Sequence, residues 1–238
     1  MNIWLYWEDP PNKTKPEYLN LCFESVKKHC SADFTIRIVS KQEALEMLAL
    51  PPIWLQFAQI AHRADMVRAG LLAKFGGIWL DTDLIVIRSL SFLIEEIQNH
   101  GFIGYCTYDR RNPEIGFLGA LQNDPIVTSW FEQAKKHVIE KNVTTFGWRE
   151  LGQDMLRKYT EPQSSWKDFS HKFFCPIRAQ DKGRFLTEGS IRDFIFPETA
   201  TIMLFNHGFG SHPIKSMNRQ EILESKLVVA DAIRLGLA

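Results

Sequence analysis

No run in this 238-residue sequence reaches the roughly 18 uninterrupted apolar residues that a membrane-crossing helix needs, so no transmembrane segment is expected. Surplus charge is lacking too. The 28 basic residues cancel the 28 acidic ones, which removes from the total the electrostatic footprint of a nucleic-acid binder or a polybasic membrane anchor. The four cysteines, Cys22, Cys30, Cys106 and Cys175, stand too far apart for a Cys-x-x-Cys metal or redox motif. The opening apolar run, Ile3 to Trp7, has neither the basic flank nor the length of a secretory signal, and it predicts a first core strand. Reduced thiols and a cytosolic location are the expectation. Neither an internal repeat nor a low-complexity tract is visible.

With 45% apolar residues and ordinary proline and glycine, the chain has the makings of one large core. The expectation is a single domain over residues 1–215, followed over 216–238 by an amphipathic helix packed on that domain or serving as an interface. Thr14 and Glu17 are spaced as a capping box ahead of a helical face of Leu19, Cys22, Phe23, Val26 and Cys30, with Pro16 in the first turn. Phe34, Ile36 and Ile38 alternate as a strand, and Ser40 with Glu43 marks a second capping box. A helix from about Arg63 to Phe75 stops at Gly76 and Gly77 and turns into the strand Ile78, Trp79, Leu80. Further strands are expected at Leu84 to Ile87, Phe102 to Cys106, Ile115 to Ala120 and Thr201 to Phe205. Helices are expected after Asp124 and Pro125, around Leu151 to Tyr159, and from Asn218 to Leu237. Strands alternating with helices predict a three-layer α/β domain around a mostly parallel sheet.

The segment from His62 to Ile87 carries the chemistry. A helix of about eleven residues rises roughly 16 Å, and a returning strand of about four residues runs back roughly 13 Å. Asp65 and Arg68, one turn apart on one face, are therefore expected at the same edge as Asp81 and Asp83. Strand C-termini and helix N-termini are where open α/β sheets bind ligands. Two carboxylates separated by one residue suit a hard divalent cation shared with phosphate oxygens, and Arg68 supplies a planar donor fork for phosphate or sugar hydroxyls.

Asp65, Arg68, the Gly76–Gly77 pair, Trp79 and Asp81-Thr82-Asp83 together resemble the DXD sugar-transferases of capsular polysaccharide synthesis and glycosyltransferase family 32. The same spacing is similar to that of the glucosylating domains of large clostridial toxins. The resemblance runs with gaps from the first strand to residues 206–212, and it implies a GT-A glycosyltransferase fold, a single Rossmann-like domain. It further implies a metal-dependent, retaining transfer from a nucleotide-diphosphate sugar, with UDP favoured over GDP and Mn²⁺ or Mg²⁺ as cofactor. The acceptor it implies is a glycan, lipid-linked at the inner membrane face.

Residue by residue, Trp7 matches an aromatic that stacks on the nucleotide base, and Trp79 one that lies beside the nucleotide. Asp65 and Arg68 match contacts to the donor sugar and its phosphate. Asp81 matches the residue on ribose and sugar hydroxyls, and Asp83 the direct metal ligand. The segment Phe205 to His212 resembles the family's closing motif, with His207 and Ser211 on matching positions and His207 as third metal ligand. Asn206 stands where the family has a first His, and His212 where it has Trp. The glycines 208 and 210 suggest a loop that closes over the donor. Asp154 is a candidate for positioning the acceptor or stabilising the sugar's developing positive charge.

Two other functions share parts of this pattern. A haloacid-dehalogenase-type hydrolase also places Asp-x-Asp after an apolar strand, but it expects Thr or Val where this chain has Ile85. A nucleotide-sugar-binding subunit impaired in catalysis fits the departures at Asn206 and His212.

Overall fold

The computed structural model describes residues 1–9, 14–106, 112–160 and 165–238. In chain order the elements are β1 (Asn2–Tyr6), α1 (Glu17–Cys30), β2 (Thr35–Val39), α2 (Lys41–Met47), α3 (Ile60–Phe75), β3 (Gly77–Leu80) and β4 (Leu84–Val86). Then come α4 (Phe92–His100), β5 (Phe102–Tyr105), β6 (Phe117–Ala120), α5 (Pro125–Lys141), α6 (Gln153–Thr160), β7 (Lys167–Phe169), β8 (Thr201–Met203), α7 (Arg219–Glu224) and α8 (Val228–Leu237). Short 3-10 turns fill much of the stretch between β7 and α7. These elements form two compact units, each assembled from separate stretches of chain.

The first unit comprises Met1–Glu8, Thr35–Leu80 and Phe92–Phe169 and holds a six-stranded sheet in the order β2-β1-β3-β6-β5-β7. The pairings β1–β2, β1–β3 and β5–β7 are parallel, while β6 runs antiparallel to both of its neighbours. The sheet is thus mixed α/β and mostly parallel, as the alternation of elements predicts. Helix α3 packs on β1, β3 and β6 and against α5. Its residues are buried nearly all round from His62 to Ala73, the pattern of an interior helix with protein on every side. Four tryptophans, Trp4, Trp54, Trp79 and Trp130, are almost wholly enclosed in this unit. Their ring N–H groups must then find internal acceptors, and Trp4 Nε1 donates to the Gly76 carbonyl at 2.8 Å and Trp130 Nε1 to that of Leu151 at 2.8 Å.

The turn from α3 into β3 needs both glycines. Gly76 has φ 62° and Gly77 φ 101°, and a Cβ on Gly76 would come within 2.5 Å of the Gln122 nitrogen. No L side chain fits that conformation in that space.

The second unit comprises Asp9–Phe34, Asp81–Ser91 and Ser170–Ala238. It holds the antiparallel pair β4–β8, in which Leu84 faces Met203. Helices α1 and α8 pack together there, and the α8 end is tied down by Lys28 Nζ on the Leu237 carbonyl at 2.7 Å and by His29 Nε2 with the Gly236 carbonyl at 3.0 Å.

Several boundaries differ from the sequence expectation. Thr14 does not cap α1; Pro16, extended at ψ 139°, is the cap residue, and it lies outside the helix. Helix α3 begins at Ile60, three residues early, after Gln59, which gives no side-chain cap bond and so no sequence signal. The terminal amphipathic stretch is two helices: Ser225, extended at ψ 143°, ends α7, and α8 starts at Val228. By contrast, the Ser40–Glu43 capping box forms, and Asp124 caps α5 through Ile126 N at 2.9 Å.

Candidate active site

In the first unit, Asp65 and Arg68 sit near the middle of α3 and not at its N-terminus, because the helix starts three residues, about 4.5 Å, earlier than expected. Both are buried, and Asp65 Oδ1 lies 3.6 Å from an Arg68 Nη. The guanidinium of Arg68 lies over the Trp79 ring, 4.9 Å from its centroid. That contact confirms that β3 runs back along α3. Trp79 is 2% exposed, so its face serves Arg68 rather than an open surface. A buried guanidinium stacked on an aromatic has its fork fixed in advance, which lowers the ordering cost of gripping an anion.

The segment after α5 closes against this pair. A Cβ on Gly152 would meet Asp65 Oδ2 at 3.0 Å and Ile115 Cδ1 at 2.5 Å, so only glycine lets this backbone approach the carboxylate. Glu150 anchors the same segment: its carboxylate accepts from Gly147 N at 2.8 Å, pairs with His137 Nε2 at 2.6 Å and takes Lys141 Nζ at 2.5 Å. Burial alone would raise the Glu150 carboxyl, but Lys141, His137 and the Gly147 N–H outweigh it and bring the pKa down to about 2. Within this segment Trp148 stands 60% exposed. Asp154 pairs with Arg149 at 3.2 Å and is more than half exposed.

Two aromatics at β1 differ in burial. Trp4 is buried in the core, whereas Trp7, just past the strand end, is half-buried and donates its backbone N–H to the Val39 carbonyl at 3.1 Å. Nearby, Glu8 pairs with Arg63 at 2.6 Å and accepts from the Tyr6 hydroxyl. Sequence reading passed over Glu8, Arg63 and Glu150, whose partners lie far away in the chain or outside any motif.

In the second unit, Asp81, Thr82 and Asp83 form a half-buried turn that closes with Leu84 N on the Asp81 carbonyl at 3.2 Å. Asp83 is held at both its backbone and its side chain. Leu204 N donates to its carbonyl at 3.0 Å, and Asn206 N donates to its Oδ2 at 2.6 Å. Asn206 opens a 3-10 turn, Asn206–Phe209, that contains the exposed His207. Within this glycine-containing turn Phe209 is buried against Tyr18 and Phe185. His212, the other departure from the closing motif, accepts from Ile214 N at 3.2 Å through Nδ1 and caps the next short turn.

Whether a cation fits can be judged from the donor set. Among the described residues no group of three or more His, Cys, Asp or Glu side chains is close enough to hold a metal ion unaided. Hard divalent cations serving phosphate substrates need only one or two carboxylates, the remaining positions going to water and phosphate oxygens. A carboxylate offers about four lone-pair sites, so the Asn206 bond does not exhaust Asp83. Asp83 with Asp81 therefore fits a cation shared with a diphosphate and does not fit a closed protein cage. His207 shares the turn that reaches Asp83.

The sequence model for "Capsular polysaccharide synthesis protein" matches residues 1–142. Lactosylceramide 4-alpha-galactosyltransferase of Mus musculus is 26% identical over 167 residues, 59% of this chain and 45% of that protein. The Rattus norvegicus protein of the same name is 25% identical over 184 residues, 66% of this chain and 48% of its own length. The chain spans less than half of these curated relatives. Among solved structures, the glycosyltransferase GlyE of Streptococcus pneumoniae TIGR4 superposes with a TM-score of 0.54 at 14% identity, over 100% of this chain and 60% of that one. The galactosyltransferase LgtC, solved with donor and acceptor sugar analogs, gives a TM-score of 0.52 at 13% identity, over 99% and 95% of the two chains. These likenesses establish the fold as that of GT-A glycosyltransferases.

Proposed function

From the premise that this chain belongs to the capsular polysaccharide synthesis protein family, we propose that it is a metal-dependent, retaining glycosyltransferase of bacterial surface polysaccharide synthesis. It takes a sugar from a nucleotide-diphosphate donor, a UDP-sugar ahead of a GDP-sugar, and passes it to a glycan acceptor, lipid-linked at the inner face of the cytoplasmic membrane. The observation that carries this reading is the buried Asp65–Arg68 pair at 3.6 Å, with the guanidinium stacked on Trp79. Burying two charges is costly and brings little stability over an apolar pair, so such a pair inside a central helix is better explained by a charged ligand.

Each residue then has a task. Trp7, half-buried past β1, stacks on the base. Arg68 binds the diphosphate and stabilises the charge that develops on it as the glycosidic bond breaks. Asp65 orients Arg68 and accepts from the donor sugar, and Trp79 acts beside the nucleotide by supporting Arg68. Asp81 accepts from ribose and sugar hydroxyls. Asp83, with Asp81 and His207, would hold Mn²⁺ or Mg²⁺. When bound, the cation neutralises the diphosphate and makes it a better leaving group. The bond from the anomeric carbon to phosphate oxygen breaks, the acceptor oxygen bonds to that carbon on the same face, and the departing phosphate takes the acceptor's proton. No separate base is then needed. Asp154, oriented by Arg149, positions the acceptor.

A second reading, a donor-binding subunit impaired in turnover, draws on Asn206 and His212, since both side chains already accept hydrogen bonds, Asn206 from the Tyr18 hydroxyl and His212 from Ile214 N. Mass spectrometry of a screen of UDP- and GDP-sugars with Mn²⁺ separates the two. The transferase releases free nucleotide diphosphate from at least one donor, and the subunit binds without release.

A further inference from the structure

We propose that Tyr18 is a positioning residue for the Asp83 carboxylate: its hydroxyl and ring hold the turn Asn206–Phe209, whose first N–H in turn holds Asp83. The inference rests on the reading of Asp83 as the cation-binding carboxylate.

Tyr18 lies in the first turn of α1 and is fully buried. Its hydroxyl donates to Asn206 Oδ1, and its ring meets that of Phe209 with centroids 5.7 Å apart. A single side chain thus grips both ends of a four-residue turn. On its far side Phe209 meets Phe185 at 6.3 Å, so the turn cannot slide along the tyrosine ring.

The turn needs such a grip. Phe205, immediately before it, is left-handed at φ 58° and ψ 60°, a conformation unfavourable for a bulky residue that persists only where the surroundings enforce it. Released from Asn206, the segment relaxes by returning Phe205 to negative φ. That rotation carries the Asn206 N–H away from Asp83 Oδ2, now 2.6 Å distant.

The chemistry of the pair agrees with this role. Burial, reinforced by the charge of Asp83, raises the Tyr18 pKa, so the hydroxyl keeps its proton and remains a donor. An amide oxygen at position 206 is an acceptor in every protonation state. Asn206, which replaces the histidine of the related closing motif, is therefore one half of a latch whose other half is Tyr18.

The test uses the full chain with Tyr18→Phe, Asn206→Ala and the double variant. Amide hydrogen exchange over residues 205–210 is followed by mass spectrometry, and Mn²⁺ binding in the presence of UDP by calorimetry. Each single variant is expected to exchange about tenfold faster in that segment and to bind Mn²⁺ about tenfold more weakly, with the double variant no worse than either single one. Exchange in α8, which packs on α1 in the same unit, stays at the parental rate, which a general loss of stability of that unit would not permit. Parental exchange at 205–210 in Tyr18→Phe overturns the inference, and so does a double variant in which the two effects add. A parent that binds no Mn²⁺ overturns instead the reading of Asp83, and the exchange rates still decide whether Tyr18 holds the turn.

Discussion

The backbone N–H of Asn206 donates to Oδ2 of Asp83 at 2.6 Å, joining positions 123 residues apart in the chain. The DXD turn is therefore supported by the segment in which His207 lies, before any ligand arrives. On the other unit, Arg68 is supported in advance by Trp79 and Asp65. In both places the supporting contacts fix the side chain's direction, which is what transition-state stabilisation by preset charges requires.

Arg68→Lys is expected to lower kcat/KM for donor turnover about 100-fold, because an ammonium neither forks onto two oxygens nor stacks on Trp79 as a guanidinium does. Steady-state kinetics with the preferred donor measures this. Arg68→Ala is a poorer probe, since it leaves Asp65 buried without its cation and is expected to cost about 3–5 kcal/mol of stability.

Gly152→Ala is expected to raise the donor KM while lowering the melting temperature by only a few degrees, on the order of 1 kcal/mol for this type of overpacking. The new methyl group meets Ile115 Cδ1 at 2.5 Å and Asp65 Oδ2 at 3.0 Å, so the end of the Ile115 side chain must shift and the Asp65 carboxylate is pressed at the same time. An unchanged donor KM with a large stability loss would show that the glycine serves packing alone.

Glu150 makes a pH-dependent contribution to stability. Its folded pKa, about 2, is below the 4.5 of an ordinary glutamate, so the contribution is complete above pH 4.5 and is lost as pH falls toward 2. Discounted for partial exposure, the anchor is worth roughly 1–2 kcal/mol. Urea midpoints of the parent and Glu150→Gln are expected to differ at pH 7, to differ less at pH 3 and to converge only as pH falls to about 2. A gap of equal size at all three pH values would contradict the assignment.

What could be read in the sequence was local chemistry. The Ser40–Glu43 box and the Asp124–Pro125 start are complete within a few residues, and both form as read. The return of β3 along α3 followed from helix rise and strand length, and the Arg68–Trp79 contact bears it out. The strand β7, Lys167–Phe169, escaped notice because three residues with two charges at a sheet edge carry no apolar period. The start of α3 was missed for want of a capping side chain at Gln59. The Glu150 anchor, the Gly152–Asp65 approach and the Tyr18–Asn206 bond are tertiary contacts, the last across 188 residues, and no single-sequence pattern reports them.

The most direct measurement is calorimetric binding of UDP to the purified protein with and without Mn²⁺, repeated on Asp83→Asn. The expected result is that Mn²⁺ strengthens UDP binding to the parent at least tenfold, about 1.4 kcal/mol, and that the substitution abolishes this gain while leaving metal-free UDP binding in place. Equal enhancement by Mn²⁺ in the parent and in Asp83→Asn would contradict the assignment of Asp83 as the residue that holds the cation.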